Sequence, residues 1–240
     1  MATIDLSVIL TGYNEGGELE DNLKQVREIL KVSSLRWEMI LYDDFSKDKT
    51  LEIFRKFAAQ NKNNVRAFFH TENKGRGQTV KDAVSESKGE IVGYIDTDLE
   101  LSPIHILEFA SSIQHGADLA IATRVYDITQ VNVLRAVASS VYVKLVRLLL
   151  GVNFKDTESG LKFFRKHQIL KVLQKIEDER WFFDTEIVLR SFLAGLKIVE
   201  IPVVFTKKSE KQSSVNFIQV SLSYFIKLWR FRKFFKSSKL

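Results

Sequence analysis

Residues 4–32 read IDLSVILTGYNEGGELEDNLKQVREILKV, and the fold can be predicted outward from this stretch. Apolar and β-branched residues fill the run Ile4–Thr11, which predicts a buried strand. After a polar turn, Leu19–Val32 places apolar residues three and four positions apart, as an amphipathic helix does. The stretch therefore predicts one strand followed by one helix.

The same unit repeats along the first half of the chain. Further apolar runs occur at Trp37–Tyr42, Val65–Phe69, Ile91–Ile95 and Leu119–Ala122. Helical spacing occurs between them at Thr50–Gln60, Thr79–Ser87 and Ile104–Gln114. This alternation is typical of α/β proteins that have a mostly parallel central sheet with helices on both faces.

The second half of the chain has a different pattern. Leu161–Phe164 and Lys197–Phe205 read as strands, and Pro202 predicts an edge position for the latter. Val131–Leu150 is apolar but is interrupted by three basic residues, so we do not expect it to span a membrane. It is a candidate for a helix at the membrane interface.

Charge is concentrated at the carboxyl end of the chain. The net charge is +6, and residues 206–240 hold nine Lys or Arg but one acid. Ser221–Lys236 predicts an amphipathic helix in which Trp and Phe lie beside basic residues, a composition that suits an anionic membrane surface. We therefore predict a catalytic domain at 1–216 and a basic membrane-surface helix at 217–240. The alternative is a helix that packs on its own domain or on a partner subunit.

The composition limits the classes of protein to which this chain can belong. A chain of 240 residues that is 45% apolar can bury one large core. It has no cysteine, which excludes disulfides and thiolate metal sites and is consistent with a reducing compartment. No nucleic-acid-binding motif accompanies the basic residues. We expect a cytoplasmic protein, peripheral on the cytoplasmic face of a membrane.

Polar and charged residues follow each of the first five predicted strands. These segments are residues 11–15, 43–46, 73–77, 96–100 and 123–124. Each alone is compatible with an ordinary turn. Because ligands of open α/β sheets bind beyond the carboxyl ends of the strands, the five together predict a ligand site at this edge.

Two of these segments suggest specific chemistry. The neighbouring carboxylates of Asp96 and Asp98 favour Mg²⁺ or Mn²⁺, with Glu100 as a further ligand; a solvated acidic turn is the alternative. Lys74 and Arg76 alternate with two glycines just before a predicted helix, an arrangement that suits a pyrophosphate.

The motifs occur in the order VILTGYNE, YDDFSKDKT, NKGRGQTV, IDTDLE, ATR, DTESGLKFF and WFFDTE. In this order they resemble the family-2 glycosyltransferases of GT-A fold, and most of all the dolichyl- or polyprenyl-phosphate mannose and glucose synthases. The resemblance covers roughly residues 4–205. It implies a GT-A, Rossmann-like sheet.

The resemblance also implies roles for individual residues. On the donor side, the residues expected to line the nucleotide base and ribose are Thr11, Tyr13, Glu15 and Asp44. Asp96 and Asp98 would bind metal and diphosphate, Asp98 being catalytic. On the acceptor side, the residues expected near the lipid phosphate or the reacting groups are Arg124, Arg135, Ser159 and Asp184. The family's arginine-containing loop after the final strand is replaced here by a lysine-rich stretch, in which Lys208 is the candidate phosphate contact.

The implied reaction is inverting transfer of a hexose from UDP-glucose or GDP-mannose to dolichyl or polyprenyl phosphate. A phosphate nucleophile is already anionic, so Asp184 would orient groups instead of removing a proton. Transfer to a saccharide or protein hydroxyl, with Asp184 as base, is the first alternative. A nucleotidyltransferase and a noncatalytic membrane-recruiting subunit are the others.

Overall fold

The structure, a computed structural model, describes residues 4–126, 133–207 and 217–237. Within these ranges seven strands form one sheet in the order β3-β2-β1-β4-β6-β5-β7. The strands are β1 (Leu6–Gly12), β2 (Trp37–Asp43), β3 (Val65–Phe69), β4 (Ile91–Ile95), β5 (Leu119–Tyr126), β6 (Leu161–Arg165) and β7 (Ile198–Phe205). All pairings are parallel except those of β6 with β4 and β5. The predicted mostly parallel sheet is confirmed.

Helices cover both faces of this sheet. They are α1 (Leu19–Lys31), α2 (Thr50–Gln60), α3 (Arg76–Glu86), α4 (Ile106–Gln114), α5 (Val133–Leu150), α6 (Lys166–Leu173), α7 (Phe183–Leu193) and α8 (Phe217–Ser237). In β1, Val8 and Leu10 pack toward α1, α2 and α4, whereas Ile9 packs toward α3, α6 and α7. The strand is apolar on both sides because both of its faces are buried.

Strand β6 lies between β4 and β5 and runs opposite to them. Its first residue, Leu161, pairs with Ile95, the last residue of β4. The beginning of β6 therefore lies at the edge where the parallel strands end. The apolar run at Leu161–Phe164 predicted a strand there but carried no information on its direction.

Two details of the elements bear on the sequence predictions. Among the described strands β7 is last in the sheet order and neighbours β5, so the edge position inferred from Pro202 is confirmed; one isolated bridge joins its last residue, Phe205, to Leu101. Helix α3 begins at Arg76, three residues before the predicted start, and its N-cap Gly75 has a positive φ of 95°. Arg76 and Gly77 thus belong to the first helical turn.

Helices α5 and α8 pack together and form a third apolar cluster with Phe182 and α7. The α8 residues buried in it are Leu228, Phe231 and Phe235. The sequence places Leu222, Phe225, Ile226 and Trp229 on one apolar face of this helix, which is a different face, and Phe225, Ile226 and Trp229 are exposed. Within the described parts of the chain, no helix has both the length and the apolarity required to cross a bilayer.

Candidate active site

The loops after β1 and β2 are joined by backbone-to-side-chain hydrogen bonds. The N–H of Asn14 donates to Ser46 Oγ at 2.9 Å, and the N–H of Glu15 donates to Thr50 Oγ1 at 2.7 Å. Asn14 and Phe45 both have positive φ, of 58° and 68°. Such backbone strain in non-glycine residues is most common at functional sites. The two loops therefore form one rigid rim.

The predicted base-side residues lie on this rim. Tyr13 is 47% exposed, while Thr11 and Glu15 are half-buried. The N–H of Asp44 donates to the carbonyl of Gly12 at 2.9 Å, which brings Asp44 next to them. The sequence prediction that these four residues converge agrees with this geometry.

The Asp44 carboxylate is buried and already carries four hydrogen bonds. Its Oδ1 accepts from His70 Nδ1 and the Lys74 N–H, both at 2.8 Å. Its Oδ2 accepts from Asn73 Nδ2 at 3.0 Å and the Gly75 N–H at 2.9 Å. Asp44 thus anchors the loop 73–75. Direct contact with a base, which the resemblance implied, would need one of these bonds to open.

Asp43, the preceding acid, was not singled out from the sequence. Its Oδ2 accepts from the Ser46 N–H at 3.0 Å, whereas its Oδ1 is buried with no hydrogen-bond partner in the described part of the chain. A buried acceptor without a partner is costly, and such atoms occur most often where a function uses them. No pattern in the sequence distinguishes the two acids.

The alternation of a strand would point Asp96 and Asp98 to one side of the sheet, but the two residues follow β4 in a tight turn. Leu99 closes the turn with a φ of 51°, and its N–H donates to the Asp96 carbonyl at 3.2 Å. The N–H of Asp96 donates to the Gly160 carbonyl at 3.1 Å. A Cβ at position 160 would lie 1.6 Å from Asp96 Oδ2, so only glycine leaves room for this carboxylate.

An ion-pair network connects Asp96 to Asp184. Arg76 bridges them, with its NH1 2.6 Å from Asp96 Oδ1 and its Nε 3.0 Å from Asp184 Oδ2. Asp184 Oδ1 accepts from Tyr94 Oη at 2.6 Å and from Lys162 Nζ at 3.1 Å. The predicted pyrophosphate ligand Arg76 is therefore held by two carboxylates of its own chain.

The network fixes the charge of Asp184. Burial alone would raise its pKa, but Arg76 and Lys162 outweigh burial and hold the pKa of Asp184 below its usual value. A carboxylate with a lowered pKa and three donors is a poor proton acceptor. This geometry favours the orienting role over the general-base role.

Lys162 is a site residue that the sequence analysis missed. It is fully buried in β6, donates to the Ser159 carbonyl and to Asp184, and burial lowers the pKa of its ammonium. The sequence did contain a signal, which is the single Lys inside the apolar run LKFF. Because a buried Lys is rare unless it is paired, this Lys predicts an acidic partner.

The carboxylates fit a divalent cation that is shared with a diphosphate. Although 41% of the Asp96 side chain is accessible, its surroundings raise its pKa to about 7, chiefly by desolvation and further by the Asp98 charge. Across the described ranges, no three acidic or histidine side chains are arranged to hold a metal by themselves, so Glu100 does not complete such a set. Mg²⁺ often takes one or two carboxylates and completes its shell with phosphate and water.

Charged pairs also dominate the acceptor side. Arg124 Nε and NH2 lie 2.6 Å and 3.0 Å from the two oxygens of Asp156, and NH2 lies 3.5 Å from Glu158. Burial raises the pKa of Glu158 to about 7, with Asp156 adding to the rise and Arg124 opposing it. The guanidinium of Arg124, which was predicted to bind a phosphate, is thus already paired with a carboxylate.

The other predicted acceptor residues are placed unevenly. Ser159 is fully buried, and no described residue accepts from or donates to its Oγ. Arg135 falls within α5, but its side chain is outside the described part of the structure, as is the whole of Lys208. Lys74 is exposed on the loop that Asp44 anchors, with its Nζ 4.0 Å from Asp82.

Helix α8 reaches the same side of the site. Tyr224 Oη donates to the Trp181 carbonyl at 2.7 Å, just before α7, and its ring packs edge-on against Tyr142 of α5 at 5.4 Å. Glu158 and Asp184 both act electrostatically on the Tyr224 hydroxyl, whose pKa is raised first by burial. The carboxyl-terminal helix therefore contributes a wall beside the acceptor-side residues.

Comparison with known proteins gives a consistent result. Residues 7–177 match the family model described as Glycosyl transferase family 2. The chain is 29% identical over 214 residues to Glycosyltransferase AglD of Haloferax volcanii, spanning 87% of this chain but 34% of that protein. It is 25% identical over 253 residues to dolichyl-phosphate beta-glucosyltransferase of Dictyostelium discoideum, spanning 95% of this chain and 77% of that protein.

Solved structures share the fold. Glucosyl-3-phosphoglycerate synthase from Mycobacterium tuberculosis, in complex with Mn²⁺, UDP-glucose and phosphoglyceric acid, superimposes with a TM-score of 0.71. The match covers 95% of this chain and 79% of that one at 15% identity. At this identity the likeness establishes the fold alone, and it supports the predicted GT-A architecture.

Proposed function

Since the chain belongs to glycosyl transferase family 2, we propose that it transfers a hexose from a nucleotide sugar to dolichyl or polyprenyl phosphate with inversion. The observation that carries the proposal is the placement of Asp96 and Asp98 at the carboxyl end of β4, beside Arg76. The names of the dolichyl-phosphate beta-glucosyltransferase relatives support a lipid phosphate acceptor. They also favour glucose over mannose, and we take UDP-glucose as the donor.

On the donor side, Thr11, Tyr13 and Glu15 line the base and ribose. Asp44 contributes by holding the loop 73–75, since its four hydrogen bonds leave it little capacity for a ligand. Lys74 and Arg76 face the diphosphate. Mg²⁺ or Mn²⁺ on Asp96 and Asp98 would neutralise charge that develops on the departing nucleoside diphosphate, with Glu100 holding metal-bound water.

In the transfer step, the bond from the anomeric carbon to the diphosphate oxygen breaks, and its electron pair leaves with the nucleoside diphosphate. An oxygen of the lipid phosphate forms the new bond from the opposite face. This oxygen is anionic near neutral pH, so no proton has to be removed. Asp184 orients Arg76 and Lys162, which agrees with its lowered pKa.

On the acceptor side, Arg124, Arg135, Ser159 and Lys208 bind the lipid phosphate. Arginine can hold a phosphate by two parallel hydrogen bonds. In Arg124 the same fork now holds Asp156, so lipid phosphate would have to replace or bridge that carboxylate. The buried Ser159 Oγ would supply a neutral donor.

The surface next to the acceptor side suits a membrane. Trp229 and Ile226 of α8 are 46% and 44% exposed, and Leu148 of α5 is 80% exposed. Basic residues on the exposed parts of the two helices are Lys144, Arg147, Arg230 and Lys233. We propose that this surface binds the cytoplasmic face of a membrane or a membrane partner subunit, and that no nucleic acid is involved.

A transfer assay tests the proposed reaction. Radiolabelled UDP-glucose and GDP-mannose are each supplied with Mn²⁺ and either a short-chain polyprenyl phosphate or free saccharides. We expect organic-extractable product from the lipid phosphate with UDP-glucose. Transfer to saccharide with none to lipid phosphate would replace this proposal with the hydroxyl-acceptor alternative.

Flotation with vesicles tests the membrane surface separately. We expect binding to vesicles that contain anionic lipid, weakened by Trp229→Ser and by salt, because surface attraction is screened over about 8 Å at physiological ionic strength. Val32→Ser is the matched control, since Val32 is 78% exposed and follows α1, which belongs to a different apolar cluster from α5 and α8. Equal flotation of both variants would contradict the assignment of this surface.

A further inference from the structure

Arg76 holds a position that the proposed function would give to a different cation. Its NH1 lies 2.6 Å from Asp96 Oδ1, an oxygen on one of the two acids assigned to the divalent ion. In the described ranges, no other basic side chain forms an ion pair with Asp96. The Arg76 side chain is 13% exposed and that of Asp96 is 41% exposed, so the contact is held mainly from the Arg76 side and Asp96 stays open to a ligand.

The two carboxylates that Arg76 bridges are not equally dependent on it. Asp184 also accepts from Tyr94 and Lys162, at 2.6 Å and 3.1 Å, so it stays paired when Arg76 moves. Among the described residues Asp96 has no second ion-pair partner, so it would lose its direct counter-charge when Arg76 moves. A divalent ion on Asp96 would replace the charge compensation that Arg76 now supplies.

Arg76 also has an unused donor. Its NH2 is buried and has no hydrogen-bond partner in the described part of the chain. A guanidinium carries five N–H donors in a planar fork that matches phosphate oxygens, so this group can gain partners from an anion. The contact with Asp96 is therefore exchangeable for contacts with a diphosphate.

We propose that Arg76 is the resident counter-cation of Asp96, and that it competes with the divalent ion until a nucleoside diphosphate draws the guanidinium away. The inference rests on the proposed function and adds to it an order of events. Metal alone binds weakly because Arg76 opposes it, and metal binds well once the diphosphate is present. Arg76 is thus a positioning residue that couples the two ligands.

The test is the affinity of the nucleotide-free protein for Mn²⁺, measured by calorimetry or by the paramagnetic resonance of free Mn²⁺. We expect Arg76→Gln to bind Mn²⁺ about tenfold more tightly than wild type, because a competing positive charge has been removed. The same variant should bind UDP about tenfold more weakly, since it loses a phosphate contact. A gain in one affinity with a loss in the other is not what general damage to the fold produces.

Lys74→Gln is the matched control. It removes one positive charge two residues before Arg76, but Lys74 is 41% exposed and lies near Asp82 instead of Asp96. Its Mn²⁺ affinity without nucleotide should stay close to that of wild type. Arg76→Met, which replaces the guanidinium 5.6 Å from the Tyr94 ring centre by a thioether that also packs well against aromatic rings, serves as the second variant if the glutamine variant does not fold.

The outcomes separate this inference from the proposed function. If Arg76→Gln binds Mn²⁺ no more tightly than wild type, or if Lys74→Gln tightens binding equally, the counter-cation role is wrong while metal-dependent transfer stands. If wild type binds no Mn²⁺ even with UDP, the metal dependence of the proposed function fails, and the inference fails with it.

Discussion

The donor side and the acceptor side of this site are held together by different kinds of bond. On the donor side, backbone N–H groups donate to side chains across neighbouring loops, as in the bond from Asn14 to Ser46 and those to Asp44. On the acceptor side, opposite charges pair, as in the bidentate contact of Arg124 with Asp156. The first arrangement persists without a ligand, whereas the second must rearrange to admit an anion.

Because of this contrast, the two substrates should differ in how much the protein has to rearrange when they bind. The rim that would hold the base and ribose is preorganised, so binding of that part of the donor requires little reordering. The diphosphate differs, because Arg76 has to exchange its contact with Asp96 for phosphate oxygens. The cation that would hold the lipid phosphate is already neutralised by an acid. We therefore expect donor-side substitutions to disturb a preformed loop, and acceptor-side substitutions to weaken the exchange of a carboxylate for a phosphate on a paired cation.

The largest expected effect on activity is that of Asp98, which lies between the donor side and the acceptor side. Asp98→Ala should lower kcat by about a thousandfold or more, because charge on the leaving diphosphate loses its compensation. EDTA should have the same effect on wild type, reversed by Mn²⁺. The control is Asp21→Ala on α1, which removes an acid that is 78% exposed. Full activity in metal-free buffer would contradict the assignment.

Asp44→Asn breaks the donor side. The amide cannot accept the N–H bonds from both Lys74 and Gly75, and an unsatisfied buried N–H costs about 1–3 kcal/mol. We expect KM for the nucleotide sugar to rise about tenfold or more while kcat falls less. Asp118→Asn is the control, because Asp118 accepts the N–H of Lys197 at 3.0 Å at the opposite end of the sheet. A donor KM that is unchanged in Asp44→Asn would mean that the loop 73–75 does not bind the donor.

Arg124→Lys tests the acceptor side. Lysine keeps the charge but cannot make two parallel bonds to a phosphate, so KM for the lipid phosphate should rise about tenfold. KM for the donor should not change. Arg165→Lys provides the comparison, since Arg165 is near Asp118 and remote from the site. If KM for the nucleotide sugar rises instead, Arg124 contributes to donor binding and not to acceptor binding.

The smallest expected effect concerns Glu158 and pH. Burial raises its pKa from 4.5 to about 7, so the folded protein binds this proton more tightly than the unfolded chain does. Ionising Glu158 therefore lowers stability as pH rises from about 4.5 to about 7. Glu158→Gln removes that loss, and its Tm relative to wild type should rise across this interval. A Tm difference that does not vary with pH would show that Glu158 does not titrate there.

How far the sequence predicts this molecule depends on whether the deciding contacts are local. Periodicity located β1 to β5 and α1, α2 and α4 because burial of a strand or helix face leaves a local pattern. The same pattern predicted that Asp44, Asp96 and Arg124 lie at one edge of the sheet. It could not reveal that Arg76 pairs with Asp184, which lies 108 positions away.

The sequence also did not predict the direction of a strand, the partner of a buried side chain or the packed face of a helix. The antiparallel course of β6, the buried pairing of Lys162 and the face of α8 that packs on the domain all depend on tertiary contacts. For α8, the basic amphipathic pattern predicted the helix itself, but Leu228 and Phe231 turned out to be its buried residues. A pattern on one helix does not identify which of two apolar stripes meets the protein.

The position of β6 also has a consequence for how the chain folds. β4 and β5 are separated by β6, which comes after both in the sequence, so these two strands cannot be joined into one sheet until residues 161–165 have been synthesised. Until then, β4 presents an unpaired edge to solvent, and such edges invite aggregation. The contact of Gly160 with Asp96 forms in the same step. Insertion of β6 therefore completes the sheet and fixes the turn at residues 96–99 in the same step, and nascent chains shorter than about 165 residues should lack both.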